Sequence, residues 1–202
     1  MISGIILALM VLGFCLVFYR LRCEKFSGFL GYLGIYGASS KSVLYATLIA
    51  ILALACSLII FAYFGLQHLV LNPDTPAGSL RSNGFNLAEI SKIIVFAWIG
   101  TALWEELFFR GFLAKRLINS FGFFMGNTTH SVLFGLMHVS AYRILKLPIG
   151  TNAYILIAII PSLLAYSTAY LNEQVAKGSI LPSYVAHAML NTLTPIAAVT
   201  FF

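Results

Sequence analysis

Three ionisable residues interrupt one of the most apolar stretches of this chain. The segment "WEELFFRG" contains Glu105, Glu106 and Arg110, and it follows the run 93–103, which has no charged residue. A carboxylate can take a proton from water and return it to a leaving group, which is general acid–base catalysis. Because a charged side chain at the centre of a bilayer costs about 2.5–3.5 kcal/mol, we interpret these residues as part of a functional site.

Helical spacing separates the two glutamates. Glu106 and Arg110 are four residues apart, so they share a helix face and can form an ion pair. Glu105 points about 100° away around the helix, off the face of that pair. A carboxylate without a neutralising partner suits a general base, so the sequence predicts this role for Glu105. The Glu106–Arg110 pair, taken alone, could equally be a structural ion pair within the membrane.

Two further polar clusters lie in apolar segments downstream. His138 closes the segment "FGLMH", and Phe134, one turn earlier on the same face, is a candidate binding residue that could pack against the imidazole. His187 and Asn191, in "HAMLN", are four residues apart and could donate hydrogen bonds to one point, as an oxyanion hole requires. Either cluster alone could instead bond a neighbouring helix. Their similar depth along the predicted helices favours one shared site.

The composition is that of a membrane protein. Of the 202 residues, 60% are hydrophobic and 9% are charged, whereas a soluble domain is about half apolar and a quarter charged. The net charge of +6 would suggest a nucleic-acid partner in a soluble protein. Here the basic residues flank apolar runs and face anionic lipid headgroups, so we expect no nucleic acid. The sequence predicts an integral, multi-pass protein of the plasma membrane or the endoplasmic reticulum.

Six apolar runs are available to position the candidate residues. They are 2–19, 42–66, 89–112, 126–142, 149–171 and 181–201. About 20 helical residues span a bilayer, and backbone exposed to lipid must be helical unless it closes a barrel. The sequence therefore predicts an all-α bundle of about six transmembrane helices. We expect one membrane-embedded domain, 1–202, with the polar clusters in a core at about 89–194.

The basic residues also predict an orientation. Arg20, Arg22, Lys25, Lys41, Lys115, Arg116 and Lys177 flank the runs on one side, against Arg81, Lys92, Arg143 and Lys146 on the other. Because cytoplasmic flanks are enriched in Lys and Arg, the sequence predicts that Lys115 lies inside and both termini outside. The three polar clusters are then expected to meet between the middle of the bilayer and the inner surface.

The segments between the runs are interpreted more simply. Segment 26–40 is rich in aromatic residues and glycine, which favours an interfacial or re-entrant piece. Segment 67–88 carries Pro, Asp, Asn and Gly and is the longest polar loop. His68 and His130 fall near the ends of runs, without a carboxylate at matching spacing, and are interpreted as interfacial residues.

The three clusters together resemble the motif set of the CPBP family, which includes CAAX endopeptidases and bacteriocin-processing or Abi membrane proteases. The family is marked by the motifs EExxxR, FxxxH and HxxxN, which this chain carries at 105–110, 134–138 and 187–191. Each motif alone is weak, but three in order on separate predicted helices are specific. The resemblance covers about Glu89 to Thr194.

The resemblance implies an intramembrane endopeptidase that cleaves membrane-associated or lipidated proteins at a site open toward the cytoplasmic side. The family's water-activating residues correspond to Glu105 and His138, and its oxyanion donors correspond to His187 and Asn191. The remaining carboxylate–arginine pair orients the site. The expected partners are therefore a peptide or lipidated-protein substrate and the lipid bilayer.

Other chemistries have less support in the sequence. It contains no HExxH or GxSxG motif, and its only aspartate, Asp74, lies in a predicted loop. A glutamate and two histidines could bind zinc, but we expect a mechanism without a cofactor because Asn191 suits a hydrogen-bond donor better than a ligand. A proton-coupled small transporter would predict an internal repeat, which we do not find. A non-catalytic immunity or scaffold protein is the other alternative.

Overall fold

Helices make up the described parts of the chain. The computed structural model describes residues 2–22, 27–144 and 150–202, and these contain no β-strand. In chain order the helices are α1 (Ile2–Arg20), α2 (Phe29–Leu33), α3 (Ser40–Tyr63), α4 (Gln67–Val70), α5 (Pro76–Asn83), α6 (87–121), α7 (123–144), α8 (Thr151–Tyr170) and α9 (Leu181–Phe201). The predicted all-α class is confirmed. Lys25 and Lys146, used above for the orientation, lie outside the described residues.

Within these residues, three helical stretches are long and apolar enough to cross a membrane. They are Ser40–Tyr63, Leu87–Ala141 and Ala153–Val175, and Gly4–Arg20 is a shorter apolar helix. The second stretch contains two of the predicted runs, because α6 and α7 follow one another closely. The total of about six transmembrane helices stays a prediction.

The junction between α6 and α7 is a single glycine. Gly122 has φ 77° and ψ 167°, a backbone conformation that residues with a Cβ rarely adopt. Four residues later, a Cβ on Gly126 would overlap the backbone of Ile118, so the two helices cross closely there. The sequence predicted an end at 112 and a new start at 126. The structure continues the helix because good helix formers such as Lys115 extend it.

Two π-helical stretches distinguish α6 from a regular α-helix. Its Leu87–Val95 and Leu103–Glu105 parts alternate with π-helical stretches at Phe96–Ala102 and Glu106–Ala114. π-Helical turns, with hydrogen bonds from i to i+5, occur frequently at functional sites. The sequence has no marker for them, and a spacing of four residues corresponds to one turn only in an α-helix.

Small residues allow the helices to approach one another. Ala46 and Ala50 of α3 are fully buried against Ala186 of α9, as is typical of helix contacts in membranes. Phe109 of α6 and Phe134 of α7 pack with Ala165 of α8 into a second apolar cluster. The first contact holds α9 against α3, and the second holds α6 against α7; α6, α7 and α9 carry the candidate residues.

Gly135 marks a close approach between α7 and α8. A Cβ at this position would overlap the Ser162 hydroxyl and the Ala158 carbonyl oxygen. We expect Gly135→Ala to lower the free energy of unfolding by about 1–3 kcal/mol, the usual cost of overpacking. Thermal unfolding in detergent measures the loss.

Gly13 of α1 provides the matched control. None of the described atoms beyond its own helix backbone and chain neighbours lies within 4 Å of a Cβ added there. Alanine is favoured over glycine in a helix by about 0.8–1.0 kcal/mol, so Gly13→Ala should be neutral or stabilising. Equal losses in the two variants would contradict the close approach of α7 and α8.

The segment predicted as the longest polar loop contains two short helices. Thr75 caps α5 by accepting a hydrogen bond from the Gly78 amide at 3.0 Å. The buried Glu89 of α6 then accepts hydrogen bonds from Ser79 at 2.8 Å and Asn83 at 3.3 Å. These bonds join α5 to the start of α6, so α4 and α5 form a cap over one end of the bundle.

The segment predicted to be interfacial packs against the opposite end. The Ile180 amide donates to the carbonyl of Gly34 at 3.0 Å, and the Ser179 hydroxyl donates to that of Tyr36 at 2.6 Å. Lys115 joins the same end through Glu173, at 2.7 Å, which lies in the π-helical stretch Leu171–Val175 that continues α8. Phe26, the first residue of the predicted segment, lies outside the described part of the chain.

Candidate active site

A buried ion pair on α6 forms one wall of the site. An Arg110 guanidinium nitrogen (Nη1) lies 3.0 Å from Glu106 Oε1, as the four-residue spacing predicts. The two residues are only 2% and 1% exposed. Each of these buried charges is stabilised by the other, since either one alone would be an uncompensated charge in the protein interior.

His187 of α9 reaches both glutamates. Its Nδ1 lies 2.8 Å from Glu106 Oε1, and its Nε2 lies 3.9 Å from Glu105 Oε2. When Nδ1 donates to the Glu106 carboxylate, Nε2 can act as a donor only if both ring nitrogens carry a proton. The predicted oxyanion role of His187 therefore requires the doubly protonated ring, a condition that spacing alone did not indicate.

His138 of α7 is held by its own helix. Its Nδ1 lies 2.9 Å from the Phe134 carbonyl oxygen and donates to it. This bond leaves the lone pair on Nε2 available as an acceptor. The imidazole also lies against the Phe134 ring, with a centroid distance of 4.7 Å, as predicted from their spacing.

Phe134 connects the side chains from three helices. The Arg110 guanidinium carbon lies 4.0 Å from the centre of its ring, a cation–π contact. The His187 ring meets it edge-on at 6.1 Å. Phe134 therefore packs against three other candidate residues, and its binding role stays a prediction.

Asn191 is held by a residue that the sequence reasoning missed. Its Nδ2 donates to the Thr101 hydroxyl oxygen at 3.0 Å. Thr101 lies one turn before Glu105 on α6, and that four-residue spacing was the signal available in the sequence. It was overlooked because a lone threonine in an apolar helix is not ionisable.

One cavity of about 560 Å³ joins these side chains. The candidate residues that line it are Glu105, Arg110, Phe134, His138, His187 and Asn191. Glu106 does not line the cavity; it is buried next to it, where it contacts Arg110 and His187. Of the two glutamates, Glu105 is therefore the one that faces the cavity, in agreement with its separation from the ion-pair face.

The cavity extends away from Lys115. Its lining continues past Phe96 at the start of α6 to Thr75 and Ala77 in the cap. The sequence predicted that Lys115 lies inside and that the site lies toward the inner surface. The cavity lies on the far side of Glu105 from Lys115 along α6, and both statements stay predictions.

His130 is placed differently from its prediction as an interfacial residue. Its side chain is 0% exposed, and its ring lies 6.5 Å from that of Phe109. The reason is that α7 begins at 123, so His130 is two turns inside the helix rather than at its end. His68, by contrast, is exposed and lies 3.0 Å from the Gly65 carbonyl oxygen.

The zinc alternative stays a prediction. Zinc in a catalytic site needs three protein ligands within about 2.3 Å of one ion. Among residues 2–22, 27–144 and 150–202, no group of three His, Cys, Asp or Glu side chains is arranged to hold a metal ion. We therefore derive no step through a metal.

Comparison with known families gives a match. The family model described as type II CAAX prenyl endopeptidase, Rce1-like, matches residues 87–193, more than half of the chain. The matched part begins at the first residue of α6 and ends within α9, so it includes every candidate residue above. Comparisons with curated proteins and with solved structures gave no match.

Proposed function

Because this chain belongs to the Rce1-like family of type II CAAX prenyl endopeptidases, a family of membrane-embedded proteases, we propose that it hydrolyses peptide bonds in lipidated, membrane-tethered substrates. Water activated by Glu105 and His138 is the nucleophile. The observation that carries this proposal is the shared cavity, which presents a carboxylate, two imidazoles and an amide in an apolar surrounding.

Glu105 and His138 offer two acceptors to one water molecule. Among the described residues, no hydrogen-bond partner occupies Glu105 Oε2, and the His138 Nε2 lone pair is free for the reason given above. The water donates to both acceptors and attacks the scissile carbonyl carbon through its oxygen. Its proton passes to Glu105 and then to the departing amine, so the products are a carboxylate and an amine.

The oxyanion of the tetrahedral intermediate needs donors on the other side of the carbonyl. Asn191 has a second N–H beyond the one that bonds Thr101, and a doubly protonated His187 adds Nε2–H. The Glu106–Arg110 pair holds the His187 ring through Nδ1. This division assigns Glu105 and His138 to the water, and His187 and Asn191 to the oxyanion.

The apolar part of the cavity supports a lipidated substrate. It is lined by Leu156, Ile160 and Leu164 of α8, together with Ile60 of α3 and Leu190 of α9. Burying a hydrocarbon chain there contributes about 0.8 kcal/mol for each CH₂ group. A chain of that kind would hold the attached peptide beside Glu105.

Two peptides of identical sequence test this proposal, one with a C-terminal isoprenoid on its cysteine and one without. We expect the purified protein in detergent micelles to cleave the lipidated peptide faster, with both fragments detected by mass spectrometry. His138→Ala should slow cleavage of either peptide, because it removes one acceptor for the water. An intact lipidated peptide after prolonged incubation would overturn the proposal.

Adding a chelator to the same cleavage assay tests whether the mechanism requires a metal ion. We expect EDTA or phenanthroline to leave the rate of cleavage unchanged, since the mechanism assigns no ligand role to any residue. Loss of activity that added zinc restores would instead identify a metalloenzyme.

A further inference from the structure

Two polar pairs lie one above the other between α6 and α9. Asn191 Nδ2 is 3.0 Å from Thr101 Oγ1, and His187 Nε2 is 3.9 Å from Glu105 Oε2. Thr101 precedes Glu105 by four residues, whereas Asn191 follows His187 by four. The helices therefore run antiparallel here, and each pair is one helical turn from the other.

The single hydroxyl proton of Thr101 is already used. Oγ1 lies 3.1 Å from the Ala97 carbonyl oxygen and 3.4 Å from that of Phe96, both within the first π-helical stretch of α6. A threonine hydroxyl has one proton to donate and two lone pairs to accept with. Toward Asn191 it can therefore only accept.

This restriction decides which way the Asn191 amide points. An amide donates only through nitrogen, so Nδ2 must face Thr101 and Oδ1 must face away from it. The second N–H of the planar group is then fixed in direction as well, and both residues line the cavity. Without the Thr101 oxygen, the amide could turn over and present an acceptor, which would repel an oxyanion.

We infer that Thr101 is a positioning residue that fixes the Asn191 amide with an N–H available to the oxyanion. This inference rests on the function proposed above. It assigns a role in the reaction to a residue outside the three motifs, and this role acts entirely through Asn191.

Substitutions that keep or remove the hydroxyl test the inference on the purified chain with the lipidated peptide. Thr101→Val retains the shape and removes the acceptor, so kcat should fall about tenfold with KM nearly unchanged, the worth of one hydrogen bond. Thr101→Ala, a second variant without the hydroxyl, should lose the same factor. Thr101→Ser retains the hydroxyl and should restore a rate near that of the wild type.

A double-mutant cycle with Asn191→Ala separates positioning from a merely structural effect. Thr101→Val should cost nothing further in the Asn191→Ala background, because the side chain through which it acts is gone. Independent, additive losses would overturn the inference while leaving the proposed function intact, as would a Thr101→Ser variant as slow as Thr101→Val. Full activity of Asn191→Ala would overturn the proposed oxyanion role and this inference with it.

Discussion

Glu105→Gln should reduce kcat by about 10²–10⁴-fold, the usual contribution of general acid–base catalysis. The amide keeps the volume of the side chain but cannot take a proton from water. The fold should be retained, because Glu105 faces the cavity and its Oε2 is 3.9 Å from His187 Nε2, beyond hydrogen-bond distance. Turnover of the lipidated peptide and thermal unfolding in detergent, measured on the same preparation, check both parts.

Glu173→Gln is the matched control for this variant. It makes the same chemical change in a glutamate whose partner, Lys115, lies 2.7 Å away at the other end of the bundle. We expect kcat to stay at the wild-type value, since Glu173 does not line the cavity. If the two variants lost activity equally, the assignment of Glu105 as the base would fail.

Glu106→Gln should instead lower the stability of the folded protein. It leaves the Arg110 guanidinium as an unpaired charge in a site where both side chains are almost fully buried. Breaking a buried ion pair in this way costs about 3–5 kcal/mol. We expect low expression and a lower unfolding temperature, with activity lost as a consequence.

A double variant, E106Q/R110M, shows whether the stranded charge is the cause. Replacing both members of a buried ion pair by uncharged residues is often neutral, so the double variant should be more stable than Glu106→Gln alone. If Glu106→Gln is instead stable and inactive while Glu105→Gln is unstable, the two glutamates have been assigned the wrong way round.

Contacts within one helix could be predicted from the sequence. The Glu106–Arg110 ion pair and the packing of Phe134 on His138 both follow from a spacing of four residues. The family could be recognised for the same reason, because its motifs are local: the resemblance over about 89–194 is confirmed by the match over 87–193.

Contacts between helices could not be predicted in the same way. The hydrogen bond between His187 and Glu106 depends on the axial position of α9 relative to α6. No residue spacing within either helix determines that position. The Thr101–Asn191 bond depends on the same axial position. His130 was misplaced for a related reason: the start of α7 depends on the turn at Gly122, which the hydrophobic pattern did not indicate.

The central claim is that water attacks a peptide bond with Glu105 as its base, and the masses of the products test it most directly. The lipidated peptide is incubated in water labelled with oxygen-18, together with the wild-type protein or the Glu105→Gln variant. We predict that the wild-type protein produces two fragments, with one oxygen-18 atom in the new carboxyl terminus. The variant should produce hardly any of either fragment over the same time. Fragments formed by Glu105→Gln at the wild-type rate, or a peptide left intact by the wild type, would contradict this account.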